Sequence, residues 1–282
     1  MRSNRVATTE ISGLGHMSKT VELNHHTAQL SPADPDPKPS KKLVPKKPLW
    51  MRIGVRLQPR INAIVARASR IGNHPFYETR NFPWIAALEE NWETIRAEAA
   101  NVLQDLSKVP PLAEISPDHR RIAPAGKWRS FFLYGYGYKV DANCDACPQT
   151  AALLKKVPGL NSALFSILVP GTHIPAHTGV SKAILTCHLG LQVPREADKC
   201  RMRVDTEYTT WTEGKAFVFD DMFNHEVLND TDDTRIILLV QFRRPMRPLG
   251  RLVGGLFIWA VKKSRFVQDA RRGVAKWSEQ RH

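Results

Sequence analysis

His177 and His225, with Arg235 ten residues beyond the second histidine, are the residues of this chain best suited to chemistry. His177 stands in Pro-Gly-Thr-His-Ile-Pro-Ala-His-Thr-Gly (170–179) and His225 in Phe-Asp-Asp-Met-Phe-Asn-His-Glu-Val (219–227), each beside a run of strand-forming residues. Two imidazoles far apart in sequence but each next to a β-strand can converge inside a barrel on one metal. Histidine suits Fe(II), and a ligand set that leaves positions open admits oxygen chemistry. Arg235 lies in the apolar strand Thr-Arg-Ile-Ile-Leu-Leu-Val-Gln-Phe (234–242). A guanidinium there can hold the distal carboxylate of 2-oxoglutarate in bidentate fashion, as an oxygenase using that cosubstrate requires. Ten histidines in one chain leave a plain alternative: loop or core histidines bonded to backbone, and an ordinary strand arginine.

The surrounding sequence predicts what positions these groups. Residues 1–48 are polar and rich in Ser, Pro, Lys and Asp, a composition that cannot bury enough apolar surface to order itself. A basic amphipathic segment covers 49–80, a catalytic domain 81–245, and a basic, partly apolar segment 246–282. Pro83 opens a helix over 83–106, with Trp84, Ile85, Leu88, Trp92, Ile95 and Ala99 at helical spacing. A short helix follows at 148–156. From 162 onward, β-branched runs at 163–169, 183–193, 200–204, 215–219 and 234–242 alternate with Gly, Pro and Asn/Asp breaks. That rhythm predicts a mainly β fold: a double-stranded β-helix, or jelly roll, of two antiparallel sheets with the N-terminal helices packed on it.

Charge is segregated. Residues 1–80 carry 14 Lys/Arg against 5 Asp/Glu, and residues 243–282 carry 11 against 2, so each flank stands at +9 while 81–242 stands at −4. A nucleic-acid enzyme would have a basic groove around its active site, so no nucleic-acid partner is expected. Both flanks mix cations with large apolar residues. The uncharged run Leu252–Val261 is only ten residues long, too short to span a bilayer. Trp50, Arg52, Arg56, Phe257, Trp259, Lys262 and Lys263 are the candidate contacts with an anionic membrane surface. The alternative is helices packed on the barrel with solvated charged faces. Four cysteines and no signal peptide point to free thiols in a reducing compartment, and to a peripheral protein on the cytoplasmic side of the membrane. Cys144-Asp-Ala-Cys147 is half a zinc motif with no second pair at suitable spacing.

Several segments, in order, resemble the aspartyl/asparaginyl β-hydroxylase family. They are Gly-Lys-Trp (126–128), Cys144 with Pro148-Gln-Thr150, the 170–179 segment, His-Leu-Gly-Leu (188–191), Trp-Thr-Glu-Gly-Lys (211–215) and the 219–227 segment. The resemblance runs from about Trp128 to Pro245. It implies that His177 and His225 are iron ligands and that Ser166 and Arg235 hold the 2-oxoglutarate carboxylate. It also places His188 near the cosubstrate's other end and Trp128 in the same pocket. Fe(II), 2-oxoglutarate and O2 are the implied reactants, with hydroxylation of a C–H bond and release of succinate and carbon dioxide. The sequence departs from the family's arginine at Thr186.

A third protein ligand is missing from the pattern, because Gly179 stands where a His-X-Asp/Glu triad has its carboxylate. The resemblance implies a water there, as in the β-hydroxylase proper. Asp220 and Asp221 are expected to be turn residues, or to orient the histidine through hydrogen bonds, rather than to bind metal. For the substrate, the segment 82–98 is similar to the opening helix of a lipid-hydroxylating branch, which acts on ornithine-containing lipids or lipid A. An Asp or Asn side chain in a peptide, a protein or the free amino acid is the other substrate class. A non-catalytic membrane protein with a degenerate barrel is the third alternative, opposed by the intact Ser166, His177, His225 and Arg235.

Overall fold

A computed structural model of the chain describes residues 49–115, 121–123, 126–196 and 198–279; the polar 1–48 segment lies outside the described residues. The helices in chain order are α1 (Leu49–Arg67), α2 (Trp84–Glu90), α3 (Trp92–Val102), α4 (Leu112–Ile115), α5 (Asp141–Asp145), α6 (Pro148–Leu154), α7 (Pro248–Lys263) and α8 (Arg265–Glu279). The strands are β1 (Phe76–Tyr77), β2 (Trp128–Gly135), β3 (Tyr138–Lys139), β4 (Leu160–Leu168), β5 (Thr172–His177), β6 (Ile184–Gln192), β7 (Cys200–Val204), β8 (Glu207–Thr210), β9 (Ala216–Phe219), β10 (His225–Asn229) and β11 (Arg235–Arg243).

The strands form two antiparallel sheets, ordered β1-β9-β6-β11-β4-β2-β3 and β5-β10-β7-β8. Strands β4 to β11 pass back and forth between the sheets, so the central order 9-6-11-4 lies against 5-10-7-8. This is the expected double-stranded β-helix.

Alternation along β11 explains how the large sheet serves two layers. Leu238, Val240 and Phe242 join the core shared with α2, α3 and α6, which also holds Ile85, Leu88, Ile95 and Leu154. Arg235, Leu239 and Gln241 point the other way, into a cavity between the sheets. The same period puts Ser166 of β4 and His188 of β6 in that cavity. A second core, with Leu168, Ile174, Met202, Val227 and Ile237, joins the sheets. Because β4 and β6 are covered on both faces, they read as nearly continuous apolar runs.

Two sequence expectations change. The single helix predicted over 83–106 is broken at Asn91, which takes φ −109° between α2 and α3, and α3 ends at Val102. Asn91 Nδ2 donates to the Ala87 carbonyl at 2.8 Å, the competition with the backbone that makes Asn a helix terminator. The segments bearing His177 and His225 are themselves strands, β5 and β10, rather than loops beside strands. Pro175 and two histidines disguise β5, and its place at a sheet edge is where proline is tolerated.

Candidate active site

The two histidines meet because β5 and β10 pair antiparallel with His225 opposite His177. Their ring centroids lie 4.1 Å apart, tilted by 52°. Each Nδ1 faces a backbone carbonyl, Pro175 O at 2.8 Å for His177 and Phe223 O at 3.0 Å for His225. A carbonyl only accepts, so Nδ1 carries the proton in both rings and Nε2 is left with its lone pair for a ligand bond. Burial holds both imidazoles in the neutral, ligating form. It lowers the His225 pKa to about 4, with His177 adding to the effect, and it lowers that of His177 as well.

Gly179 supplies no carboxylate, and the structure shows what occupies that place. A Cβ at Gly179 would lie 2.2 Å from Asp221 Oδ1, so the Asp221 carboxylate fills the volume a side chain at 179 would need. Its Oδ2 accepts from Thr186 Oγ1 at 3.2 Å and Gln241 Nε2 at 3.3 Å, while Oδ1 is buried with no hydrogen-bond partner. Thr186, the departure from the family's arginine, is therefore spent on Asp221. Among the described residues no three His, Cys, Asp or Glu side chains gather closely enough to hold a metal, so the protein offers two imidazoles with a carboxylate beyond them.

Of the two roles expected for Asp220 and Asp221, orienting the His225 ring falls to a backbone carbonyl instead, while Asp220 does sit in the turn. Asp220 also anchors a buried ion pair: its Oδ2 accepts from Arg244 Nη2 at 2.5 Å and Lys182 Nζ at 2.8 Å. Its Oδ1 accepts from Met222 N at 2.9 Å, which shapes the turn leading to His225. Arg244, which the sequence reading passed over, also donates to Lys182 O, Gly72 O and Tyr77 Oη. Asp220→Ala strands two cations, so unfolding stability should drop by about 3–5 kcal/mol, measured by denaturant titration of the metal-free protein. Any loss of activity should follow the unfolded fraction.

Burial, and then Asp220, raises the Asp221 pKa from its ordinary 3.8 to about 7. An acid whose folded pKa is raised contributes stability below its unfolded pKa and loses it as pH rises through the folded value. The metal-free protein should therefore lose stability between about pH 4 and pH 7, by up to about 4 kcal/mol. Asp221→Asn should flatten that slope in denaturant titrations across pH; an unaltered slope would assign it to other groups.

The other end of the pocket is built for an anion. Arg235 begins β11 and is only 2% exposed. Its Nη2 donates to Ser166 Oγ at 3.3 Å, its Cζ lies 4.5 Å over the Trp211 ring, and its Nε has no partner. Burial lowers its pKa to about 10, so the guanidinium remains charged, yet no carboxylate pairs with it among the described residues. Trp128 Nε1 donates to the same Ser166 Oγ at 3.1 Å. Trp211 Nε1 donates to His188 Nδ1 at 3.3 Å, leaving His188 Nε2 buried and without a partner. Burial, with Arg235 and His225 nearby, holds the His188 pKa well down. Unpaired donors around a buried charge are costly unless a ligand meets them, and an anionic group such as a carboxylate has the chemistry to do so. Trp211 had a signal in its Trp-Thr-Glu-Gly-Lys motif, but its stacking under Arg235 needed the fold.

Both histidines, Gly179, Asp221, Arg235, Ser166, Trp128 and His188 line one cavity of about 840 Å³, which Asp220 and Trp211 do not reach. It continues past Phe132, Leu164 and Leu239 to α7 and α8. Of the candidate membrane contacts, Trp259 is exposed on α7 and Arg56 on α1, with Lys263 also exposed. Phe257 is corrected: half-buried, it faces this cavity and packs on Val65, Ala183 and Met246. Lys262 places Nζ 4.1 Å over the Tyr138 ring. The side chains of Trp50 and Arg52 lie outside the described part. All four cysteines are buried, and none forms a disulfide.

Comparison with known proteins bears on the same residues. The family model described as aspartyl/asparaginyl beta-hydroxylase matches residues 89–245. An ornithine lipid ester-linked acyl 2-hydroxylase of Rhizobium tropici is 40% identical over 211 residues, 75% of this chain and 75% of that protein. The aspartyl/asparaginyl beta-hydroxylase of Homo sapiens is 34% identical over 173 residues, 60% of this chain but only 22% of the human protein. Among solved structures, a Pseudomonas putida prolyl-4-hydroxylase aligns over 57% of this chain and 98% of that one, with 18% identity and a TM-score of 0.33.

Proposed function

This chain belongs to the aspartyl/asparaginyl β-hydroxylase family, and from that premise we propose that it is an Fe(II)- and 2-oxoglutarate-dependent hydroxylase acting on an acyl chain of a membrane lipid. His177 and His225 would hold the iron through Nε2, and Arg235 with Ser166 would hold the far carboxylate of 2-oxoglutarate, with His188 and Trp128 against the rest of it. When bound, the metal and cosubstrate would supply the oxidising power: one oxygen atom of O2 would go into succinate as 2-oxoglutarate lost carbon dioxide, and the other into a substrate C–H bond. The chain's own residues position and exclude water. Phe219 walls the pocket with apolar surface, Trp211 backs the Arg235 guanidinium, Asp221 closes the space beside Gly179, and backbone carbonyls fix both imidazoles. The buried, acid-free Arg235 is the observation that carries the cosubstrate assignment. Similarity over three quarters of both chains to a lipid acyl hydroxylase favours the lipid substrate.

The test is purified protein with Fe(II), 2-oxoglutarate and extracted membrane lipid. Succinate and a lipid heavier by one oxygen atom support the proposal, and absence of succinate under all conditions ends it. The human relative and Gly179 favour a second reading, hydroxylation of Asp or Asn in a peptide. One added oxygen on such a residue, with lipids unaltered, would establish that reading instead.

A membrane surface is the proposed workplace. Among the described residues no helix is long and apolar enough to cross a membrane. Leu249, Leu252, Leu256 and Trp259 nevertheless form an exposed stripe along α7, each about 60% exposed, and α1, which packs on α7, exposes Leu57 and Ile64. Arg56, Arg60, Arg251 and Lys263 are exposed cations on the same helices. Each cation near an anionic leaflet contributes about 1 kcal/mol, and apolar insertion adds a part that salt does not remove. The double variant Leu252→Asp with Trp259→Asp should therefore leave anionic vesicles in a sedimentation assay, whereas high salt should release the wild-type chain only in part. Point substitutions are the cleaner probe, because deleting α7 would uncover Val65, Ala183 and Met246.

A further inference from the structure

The family match ends at residue 245, but the cavity continues beyond it. Val261 of α7 and Val267, Ala270 and Val274 of α8 line the same space as His177 and Arg235. We infer that the α7–α8 hairpin is the chain-binding wall of the site: it seats the acyl chain of a lipid with an acidic headgroup, and it sets substrate specificity from outside the shared domain. This rests on the lipid reading above and adds to it where the chain lies.

The composition of the wall favours an acyl chain over a peptide. Apart from Phe257, its apolar residues are small or β-branched, and it carries few polar groups. The two polar groups it contributes are engaged: Ser264 Oγ accepts from Val267 N, and the Arg271 guanidinium lies 4.3 Å from the Tyr138 ring. A peptide backbone laid along this wall would bury N–H and C=O groups with nothing to meet them, whereas a methylene chain only loses water contact.

The hairpin is also fastened where a lipid would need it. Lys262 and Arg271 both lie on the Tyr138 ring, and Gln268 Nε2 donates to Tyr138 Oη and to Lys262 O. Neither cation pairs with a carboxylate among the described residues, so positive charge stands beside an apolar channel, the complement of an acidic amphiphile. On α7 the exposed stripe and the cavity-facing Phe257 and Val261 are two sides of one helix. A chain leaving a bilayer could thus follow apolar surface into the site.

The experiment uses the full chain, its Ala270→Trp and Val274→Trp variants and the milder Ala270→Leu. Palmitate and octanoate binding to the metal-free protein is measured by calorimetry, and lipid hydroxylation per succinate formed is measured in the loaded enzyme. Wild type should bind palmitate at least about tenfold more tightly than octanoate, and the Trp variants should lose at least about tenfold in palmitate affinity and in coupling, the scale of overfilling a packed space. Ala270→Leu should lose less on both counts. If wild type hydroxylates lipid while the variants bind and couple as it does, the hairpin is not the wall and the lipid reading survives. Equal binding of palmitate and octanoate to a lipid-active wild type overturns the inference in the same way. Oxygen found only on Asp or Asn of a peptide removes the lipid reading and the inference with it.

Discussion

His225→Ala should reduce succinate formation by more than about a hundredfold and reduce Fe(II) affinity at least as much, because removing a group that merely orients a ligand already costs about 10–100-fold. His177→Ala should do the same. Among the described residues the proposed metal site has two facing imidazoles, His177 and His225, so neither loss would leave a chelating pair. The readouts are succinate per enzyme and metal content after dialysis against limiting Fe(II). Asp221→Ala separates the roles in this site. Its carboxylate occupies the space beside Gly179 but gathers into no metal-binding cluster with the histidines. Metal retention in this variant should therefore exceed that of either histidine variant. Metal loss as severe as theirs would make Asp221 a direct ligand, and near-full activity of His225→Ala would end the oxygenase proposal.

The second large effect is expected at Arg235. Arg235→Lys keeps a positive charge but not the planar fork, and it removes the guanidinium that lies over Trp211 and donates to Ser166. Apparent affinity for 2-oxoglutarate should fall by roughly ten- to a hundredfold, the scale of one hydrogen bond to a charged group. The decisive measurement is the cosubstrate Michaelis constant beside 2-oxoglutarate binding to the metal-free protein, and both should weaken together. An unchanged constant would mean that another residue holds the carboxylate. The Lys side chain is also shorter, so a small part of the loss will come from packing in this fully buried place.

The sequence by itself determined the chemistry on offer and the class of scaffold. Local period and residue type carry that information: alternation along 234–242 puts Arg235 on the same face as Leu239 and Gln241, and helical spacing from Trp84 to Ala99 marks the face that covers the large sheet. The family resemblance implied that His177, His225, Ser166, His188 and Trp128 share one site, and the spacing after His177 showed Gly179 as a missing carboxylate. What fills the gap at Gly179 could not be read there, because Asp221 reaches it through space from another strand connection. The same holds for Asp220, whose neighbours in sequence suggested a role at His225 while its partners are Lys182 and Arg244. Pairing His225 with His177 depends on the register of two short strands, and register is set when the two sheets close over a common core. Phe257 shows the limit on the flank: the uncharged run Leu252–Val261 marked an apolar stretch, but only packing against α1 and the barrel decided which side faces the cavity and which is left to a partner.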